Sequence, residues 1–500
     1  MARRHRHMVG FRILLVLVIP AMYFLCVSIS RLIATDPAQQ NQNSMGLRKL
    51  LWLPEADLKP KARNCSPPAI QDFPGDGFTQ EQRQRGFIVI HFAIASYLFL
   101  LLAIVCDDFF VPSIKMICDK LGMTEDVAGA TFMAAATSSP ELFINIVGTF
   151  ITQGDLGVGT IVGSAVFNIL AVPACCGLFA TQILDLDWWP VSRDCLAYAI
   201  TVVLLILTLH DGRVEWYEAL ILVISYILYI LAMVFNRRLG NFTKRLFGKK
   251  AMYKNISEDC PLLLTTEKAD KVSALIYAMD EDDSEDDIVN LIQWPEAGWE
   301  KVWWLLTWPI NLLLLITVPD CRRRTLKSWY PITFGMCIVW IASMSYIVSW
   351  IITIIGDTLK IPDSVMGLTF LAAGMSVPEA VSSVIVTNQG HGSMGISNSI
   401  GSNIFDVLLC LGLPWFVKAA FLPQFTDDYS VKINSEGLVY SSVSLFSTLL
   451  LLYGAFLFNK FKLDAKVGIY CLTMYAAFLI LASLIELNVF FTVNLPTCVH

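Results

Sequence analysis

Two glutamates, an asparagine and an aspartate stand within long apolar runs of this chain. Glu141 and Glu379 each follow a proline, in the stretches SSPELF and SVPEAV, and Asn168 and Asp406 close the stretches GSAVFN and GSNIFD. A carboxylate at the centre of a bilayer costs roughly 2.5–3.5 kcal/mol on insertion scales, so its presence there indicates function. Two equivalent glutamates, each paired with an asparagine or an aspartate, predict one shared polar site rather than separate structural hydrogen bonds.

The atoms around these residues predict a site for a hard cation. Pro140 and Pro378 cannot donate a hydrogen bond to the carbonyl four residues earlier, and a free carbonyl at membrane depth is tolerated only where it lines an enclosed or watered cavity. Calcium binds about six to eight oxygens from carboxylates, carbonyls and hydroxyls. The hydroxyls that complete the predicted all-oxygen cage are those of Thr137, Ser138, Ser164, Ser376 and Ser402. No cysteine or histidine belongs to this predicted cage, which argues against zinc and copper.

These residues belong to an internal repeat. Residues 129–170 align with residues 367–408 without a gap, and the identical positions are mostly Gly, Ser, Thr, Pro, Glu and Ala. Chance similarity between apolar segments would match Leu, Ile and Val instead. The matched glycines predict close packing of the helices around the site. They are Gly129, Gly154, Gly157 and Gly163 in the first copy and Gly367, Gly392, Gly395 and Gly401 in the second.

The composition is that of a protein that crosses a membrane many times. Of 500 residues, 55% are hydrophobic and only 16% are charged, whereas soluble chains are about a quarter charged. The net charge of −6 gives no basis for nucleic-acid binding. Most of the 13 cysteines lie in apolar segments and are predicted to be buried thiols.

Apolar runs of about 20 residues predict an all-α membrane protein with ten membrane-spanning helices. The predicted spans are 87–109, 125–151, 157–180, 194–210, 214–235, 331–355, 363–388, 394–418, 437–458 and 466–486. An eleventh run, 302–319, is shorter, is interrupted by two prolines and has basic residues on both sides. Because basic loops stay cytoplasmic, we predict that it lies in the interface or dips back instead of crossing.

Five crossings separate the two copies of the repeat, and an odd number inverts the second copy relative to the first. The predicted architecture is therefore two inverted-topology five-helix repeats with a binding site at the midplane where they meet. The predicted segments are a signal sequence or signal anchor at 1–30, an extracellular N-terminal segment at 31–85, a first five-helix repeat at 86–235, a cytoplasmic loop at 236–330, a second five-helix repeat at 331–490 and an extracellular C-terminus at 491–500.

Three further features follow from this arrangement. Both mature termini are predicted to be extracellular or lumenal, in the plasma membrane or an endomembrane. Asn64 is an acceptor for N-glycosylation, and Cys65 and Cys498 would share the oxidising side of the membrane as a disulfide pair. The acidic stretch at 280–287 is interpreted as a solvated linker in preference to a calcium-sensing patch.

At these residues the chain resembles the potassium-dependent sodium/calcium exchangers, a family of the calcium/cation antiporter superfamily. The resemblance is carried by the two repeats, by the stretch AIVCDDFFVPSIKM before the first and by SNSIGSNIFDVLLCLGLPW at the end of the second. It covers residues 85–235 and 331–490. The resemblance implies that Glu141 and Glu379 are the central calcium and sodium ligands and that Asp406 marks potassium dependence. The further ligands that it implies are Ala134, Thr137, Ser138, Ser164 and Asn168 in the first repeat and Ala372, Ser376 and Ser402 in the second, the alanines through their carbonyls.

The function that the resemblance implies is secondary active antiport by alternating access, which exports calcium with potassium in exchange for sodium. The expected partners are these three ions and the lipid bilayer, without nucleic acid, a cofactor or enzymatic activity. The chain departs from the family pattern at Ala136, Met375, Glu379, Asn388 and Ser393. These departures leave open a potassium-independent cation/calcium exchanger with altered ion preference, or a transport-inactive relative. A cation channel is a further alternative. An intramembrane aspartyl protease is another, but it would need two facing aspartates, whereas glutamates occupy the centres of the two repeats.

Overall fold

The structure is a computed structural model that describes residues 69–121, 134–152, 156–179, 184–186, 188–234, 298–388, 392–421, 430–433 and 437–490. Its α-helices are α1 (Gln80–Gln82), α2 (Ile88–Ile104), α3 (Val111–Lys120), α4 (Ala134–Thr137), α5 (Ser139–Val147), α6 (Leu156–Val166), α7 (Val172–Phe179), α8 (Trp188–Leu209), α9 (Trp216–Val234), α10 (Gly298–Thr317), α11 (Tyr330–Leu359), α12 (Asp363–Met366), α13 (Ala372–Asn388), α14 (Gly392–Phe405), α15 (Gly412–Phe421), α16 (Gly437–Phe458) and α17 (Ala465–Glu486). Its strands are β1 (Leu184–Asp185), β2 (Arg213–Glu215), β3 (Ser430–Lys432) and β4 (Lys462–Leu463).

Wider π turns connect many of these helices into longer rods. The π segments are Arg83–Phe87, Val105–Phe110, Gly148–Thr152, Phe167–Ala171, Gly367–Leu371 and Asp406–Leu411, and short 3₁₀ helices cover Ala69–Asp72 and Arg324–Trp329. When helices joined by a π segment are counted as one, nine helices among the described residues are long and apolar enough to cross a membrane. They coincide with nine of the ten predicted spans. The tenth, at 125–151, is described only from residue 134 onward.

Several predicted features lie outside the described residues. They are the signal segment at 1–30, Asn64, Cys65, Cys498, the acidic stretch at 280–287 and the glycines Gly129 and Gly154.

The eleventh apolar run, 302–319, is not interrupted at the first of its two prolines. It forms one helix, α10, which continues through Pro309 and ends at Thr317. A membrane helix tolerates an internal proline when neighbouring groups satisfy the freed carbonyl. The end of α10 is tied to α11, because the indole of Trp340 donates to the hydroxyl of Thr317 at 3.1 Å and Thr333 donates to the carbonyl of Pro319 at 2.6 Å.

The chain divides into two compact units. The described residues of the first unit fall in Leu100–Ser139 and Ile224–Ser343, and those of the second in Gly10–Phe99, Pro140–Val223 and Met344–His500. In the first unit, Arg322 binds Asp108 at 3.5 Å and Asp320 at 3.1 Å, which joins the segment before α11 to the end of the first long helix.

The second unit contains most of both repeats. Helix α6 packs along α12, the π segment after it and α13, while α8 packs against α14 and α16, and α17 against α7. At one end, the buried Arg83 side chain lies 3.8 Å from Asp76 and 3.7 Å from Asp357, and His91 contacts Asp76 at 3.0 Å. This ionic cluster fixes the segment before α2 to the end of α11.

Two short antiparallel sheets join loops of the second unit. Strand β2 pairs with β3, with Arg213 opposite Lys432, and β1 pairs with β4, with Leu184 opposite Leu463. Because paired loops lie on the same side of a membrane, an even number of crossings must separate them. The spans between β2 and β3 number four without α10 and five with it. The pairing therefore favours an α10 that does not cross.

Candidate ion site

The asparagine and the aspartate of the two repeats lie in equivalent π turns. Asn168 is the second residue of the π segment Phe167–Ala171, and Asp406 begins the π segment Asp406–Leu411. A π turn inserts one extra residue into a helical turn and recurs at functional sites. Both side chains are buried, with 1% of each exposed.

The two prolines act differently in the two copies. In the first copy the helix is interrupted at Ser138, and Pro140 is the second residue of α5, where the missing amide costs little. In the second copy Pro378 lies inside the continuous helix α13.

Glycines allow the helices of the two repeats to approach each other closely. A Cβ on Gly163 would lie 2.7 Å from the Cβ of Ala372, and a Cβ on Gly367 would lie 2.5 Å from the carbonyl oxygen of Leu156. A Cβ on Gly157 would meet the side chain of Asn145 at 2.7 Å. These distances are too short for real atoms, so the predicted role of these glycines in close packing is confirmed.

A hydrogen-bond network connects the two repeats at this contact. The amide of Asn168 donates to the carboxylate of Glu379 and, at 3.1 Å, to the side-chain carbonyl of Asn403. The hydroxyl of Ser402 donates to the same Glu379 oxygen at 3.5 Å. Asn168, Glu379 and Ser402, which the sequence analysis assigned to one site, are thus brought together by the fold.

Two residues of this network were missing from the sequence analysis. Ser399 donates its hydroxyl to the carbonyl of Asn168 at 2.9 Å, and Asn403 donates its amide to the carbonyl of Ala165 at 3.4 Å. Asn403 occupies the position equivalent to Ala165 in the repeat. This polar substitution within an apolar helix was a signal that could have identified it.

The second glutamate lies in the same buried environment. Glu141 is 1% exposed, and its Oε2 has no hydrogen-bond partner among the described residues. Its carboxylate and that of Glu379 are close enough to repel each other when both are ionised. Two buried carboxylates that repel each other are stabilised by a cation, since burial without a counter-charge is costly.

Carboxylates alone do not form the site. Within the described part of the chain, no three His, Cys, Asp or Glu side chains gather at the spacing of a metal site. Amide, hydroxyl and carbonyl oxygens must therefore contribute if an ion binds here. The side-chain oxygen of Asn168 and the hydroxyl of Ser376 are both buried and make no hydrogen bond to the residues described.

A cysteine lies beside one of the predicted ligands. Cys410 is fully buried, and its sulfur lies 3.8 Å from Oδ1 of Asp406. Asp406 and Cys410 are four residues apart in one helical rod, which brings them onto the same face. The amide of Asn145 holds the carbonyl of Cys410 at 2.5 Å.

The remaining predicted residues divide between the two units. In the second unit, Ser164 is buried and donates to the carbonyl of Ile161 at 3.1 Å, and Ala372 lies against Gly163. In the first unit, Ala134 and Thr137 begin and end α4, and Ser138 is fully buried in the turn after it. The assignment of Ala134, Thr137 and Ser138 to the ion site remains a prediction.

Comparisons with known proteins point to one family. The family model for the sodium/calcium exchanger protein matches residues 91–235 and 329–484. Sodium/potassium/calcium exchanger 4 of Homo sapiens is 38% identical over 87% of this chain and 88% of its own length. Sodium/potassium/calcium exchanger 5 of Homo sapiens is 39% identical over 84% of this chain and 87% of its own. A solved structure of the sodium-calcium exchanger NCX_Mj, 20% identical, aligns with a TM-score of 0.43 over 78% of this chain and 98% of that one.

Proposed function

Because this chain belongs to the sodium/calcium exchanger family and within it to the sodium/potassium/calcium exchangers, we propose that it is a secondary active antiporter. It exports calcium together with potassium from the cytoplasm in exchange for sodium. The three ions are substrates, and the protein moves them by alternating access. The membrane potential contributes about 2.3 kcal/mol per 100 mV for each net charge that moves inward.

The observation that carries this proposal is the buried carboxylate pair between the repeats. Glu141 and Glu379 come from opposite repeats, are both buried and repel each other when both are ionised. Asn168 and Ser402 hold the Glu379 carboxylate in place. A calcium ion or sodium ions between the glutamates replace this repulsion with attraction.

The Asn168 side chain performs two tasks in this arrangement. Its amide donates to Glu379 and Asn403, which fixes the orientation of its carbonyl group. That carbonyl oxygen is buried and makes no hydrogen bond to any described residue, so it is available to an ion. Asp406, at the equivalent position of the second repeat, supplies a carboxylate for potassium.

The membrane topology is part of the proposal. We infer ten crossings in two inverted five-helix repeats, at 86–235 and 331–490, with α10 in the cytoplasmic interface. The pairing of β2 with β3 and of β1 with β4 supports this count. The preceding segments, 1–30 and 31–85, are proposed as a signal sequence or anchor and an extracellular segment.

Calcium-45 uptake into sodium-loaded cells that express the full chain tests the function. We expect uptake that requires internal sodium, rises with external potassium and falls to background in Glu141→Gln, because the amide removes one of the two central charges. Glu81→Gln is the matched control, since its side chain is 83% exposed at the start of the first helix. This control should transport at the wild-type rate.

Each alternative gives a different result in the same assay. Undiminished uptake by Glu141→Gln contradicts the site, and calcium entry without internal sodium indicates a channel. Sodium-dependent uptake that ignores external potassium identifies a potassium-independent exchanger. A chain that reaches the membrane and shows no uptake under any condition is a transport-inactive relative.

A further inference from the structure

The segment before the first long helix forms a strap that contacts both repeats. This strap, residues 69–79, starts with a 3₁₀ helix that packs against the π segment after α5, in the first repeat. It then meets α11 of the second repeat. The ring of Phe73 lies 5.6 Å from that of Tyr346, and the indole of Trp350 donates to the carbonyl of Pro74 at 2.9 Å.

A buried ionic cluster holds the end of the strap against α2 and α11. The carboxylate of Asp76, in the strap, lies 3.0 Å from Nε2 of His91 in α2 and 3.8 Å from Nε of Arg83. The guanidinium of Arg83 lies 3.7 Å from the carboxylate of Asp357 in α11 and donates to the hydroxyl of Thr358 at 3.5 Å. The side chains of Asp76, His91 and Arg83 are at most 9% exposed.

The net charge of this cluster depends on His91. The charged groups around the imidazole are Asp76 from the strap and Arg83 from the π segment before α2, with Asp357 of α11 on the far side of Arg83. Two carboxylates and one guanidinium leave one negative charge without a partner when His91 is neutral. A protonated imidazole balances this charge, and histidine is the side chain whose charge ordinarily changes between about pH 5 and pH 8.

The geometry of the imidazole allows it to accept a second proton. Because an ionised carboxylate only accepts hydrogen bonds, Nε2 of His91 donates to Asp76. Nδ1 is buried and makes no hydrogen bond to any described residue, so its protonation breaks no bond to them. A charge-assisted hydrogen bond is roughly twice as strong as a neutral one. Protonation therefore strengthens the contact between α2 and the strap.

This contact joins elements that alternating access has to separate. His91 belongs to the first repeat, whereas Asp357 and Thr358 belong to the second. Alternating access is largely a movement of one repeat or bundle against another. A contact that joins both repeats on one side of the membrane must loosen when that side opens. In the proposed topology, the strap lies on the extracellular or lumenal side.

We propose that protonation of His91 holds the strap against α2 and α11, so that acid on the extracellular or lumenal side slows the opening of the ion site to that side. The proposal goes beyond the proposed function and rests on its topology and on alternating access. His91 contacts no predicted ion ligand in the structure. It is a positioning residue that sets the rate of opening through the strap.

The first test measures the maximal rate of calcium-45 uptake at external pH values from about 8 to about 5.5. Calcium is kept saturating, which overcomes competition by protons at the central carboxylates. The wild-type rate should fall by about three- to tenfold as the medium is acidified. His91→Gln should lose most of this fall, because its amide donates to Asp76 without gaining a charge. His210→Gln is the matched control, since this exposed histidine lies between α8 and α9, on the same side in the proposed topology, and should keep the wild-type response.

A second variant changes the other partner of the hydrogen bond. Asp76→Asn leaves His91 in place but removes the carboxylate that favours its protonation, so the response to external pH should again be lost. A maximal rate that falls equally in the wild type, His91→Gln and Asp76→Asn overturns the proposal. A wild-type rate that does not respond to external pH overturns it as well.

Hydrogen exchange of the strap amides tests the same proposal without transport. The comparison is between the wild type and His91→Gln at one pH, so the intrinsic dependence of exchange on pH cancels. At about pH 5.5 the wild-type strap should exchange about three- to tenfold more slowly, and at about pH 8 the two should exchange equally. Equal exchange at both pH values contradicts the proposal. Absence of sodium-dependent uptake at every pH would instead refute the proposed function, so the two failures are distinguishable.

Discussion

Asn168 and Asp406 occupy the same position in the two repeats, but only one of them can donate a hydrogen bond. At the scale of the residue, this difference divides the site into two parts. Asn168 holds Glu379 and leaves a carbonyl oxygen available for an ion. Asp406 adds a negative charge beside Cys410. The two repeats therefore share the same π-turn backbone at this position, but only the second repeat carries a charged side chain there.

We predict that Asn168→Ala weakens calcium binding. The substitution removes one oxygen ligand and the amide that orients Glu379, and a hydrogen bond to a charged group contributes roughly 1.5–3 kcal/mol. The half-saturating calcium concentration in the uptake assay should rise at least about tenfold. Asn459→Ala is the control, since this half-buried asparagine lies in the loop before β4, where its amide donates to the carbonyl of Lys462 and to the carboxylate of Asp464. An unchanged calcium affinity in Asn168→Ala would contradict the role of the amide.

At the scale of the element, the site depends on how closely α6 approaches α12 and α13. Gly163 and Gly367 lie at the contact, and Asn168 follows Gly163 by between one and two turns in the same helical rod. Small residues let two helical backbones approach until side chains from opposite repeats touch. The side chain of Asn168, in the π turn of the first repeat, meets Glu379 and Asn403 of the second repeat at this contact.

We predict that Gly163→Ala destabilises the protein. The added Cβ would lie 2.7 Å from the Cβ of Ala372 and closer still to the backbone of Leu368, so the helices must separate. Overpacking of this kind costs roughly 1–3 kcal/mol. The thermal unfolding midpoint in detergent should fall, and transport should fall with it.

Gly335→Ala is the matched control for this experiment. Gly335 also lies within a long helix, α11, but a Cβ there would meet no atom within 4 Å. Its midpoint should stay the same or rise slightly, because alanine favours the helix over glycine. Equal thermal unfolding midpoints for Gly163→Ala and Gly335→Ala would show that the helices at Gly163 pack less closely than in the structure.

At the scale of the whole molecule, the two small sheets constrain the path of the chain through the membrane. They join loops that are more than 200 residues apart in sequence, and each pairing demands an even number of crossings between its strands. This constraint is independent of the basic residues around α10, yet both favour an α10 that does not cross.

We predict that Arg213→Cys with Lys432→Cys forms a disulfide in the full chain. The two residues are direct partners in the β2–β3 pair. An engineered protease site in the loop at 236–297 allows the test, because the disulfide keeps the cleaved halves together on a non-reducing gel. Arg213→Cys with Lys462→Cys is the control, since Lys462 belongs to the other sheet. If α10 crossed the membrane, the first pair would lie on opposite sides and the halves would separate.

The sequence by itself determined the class of the protein, the repeat, most of the spans and the central polar residues. These follow from local properties: apolar length, basic flanks, and the cost of a charge such as Glu141 or Glu379 in lipid. Local reasoning does not show that the helix is interrupted at Ser138 in the first repeat and continuous at Pro378 in the second, because whether a helix continues near a proline depends on its neighbours.

Only the tertiary structure decided which side chains meet. Asn403, Ser399 and Cys410 reach the predicted ligands through the rotation of whole helices and through the extra residue of a π turn. Neither the rotation nor the π turn leaves a mark in hydropathy, because both depend on the packing of helices that are distant in sequence. The position of an oxygen relative to an ion is therefore a property of the assembled helices rather than of any one segment.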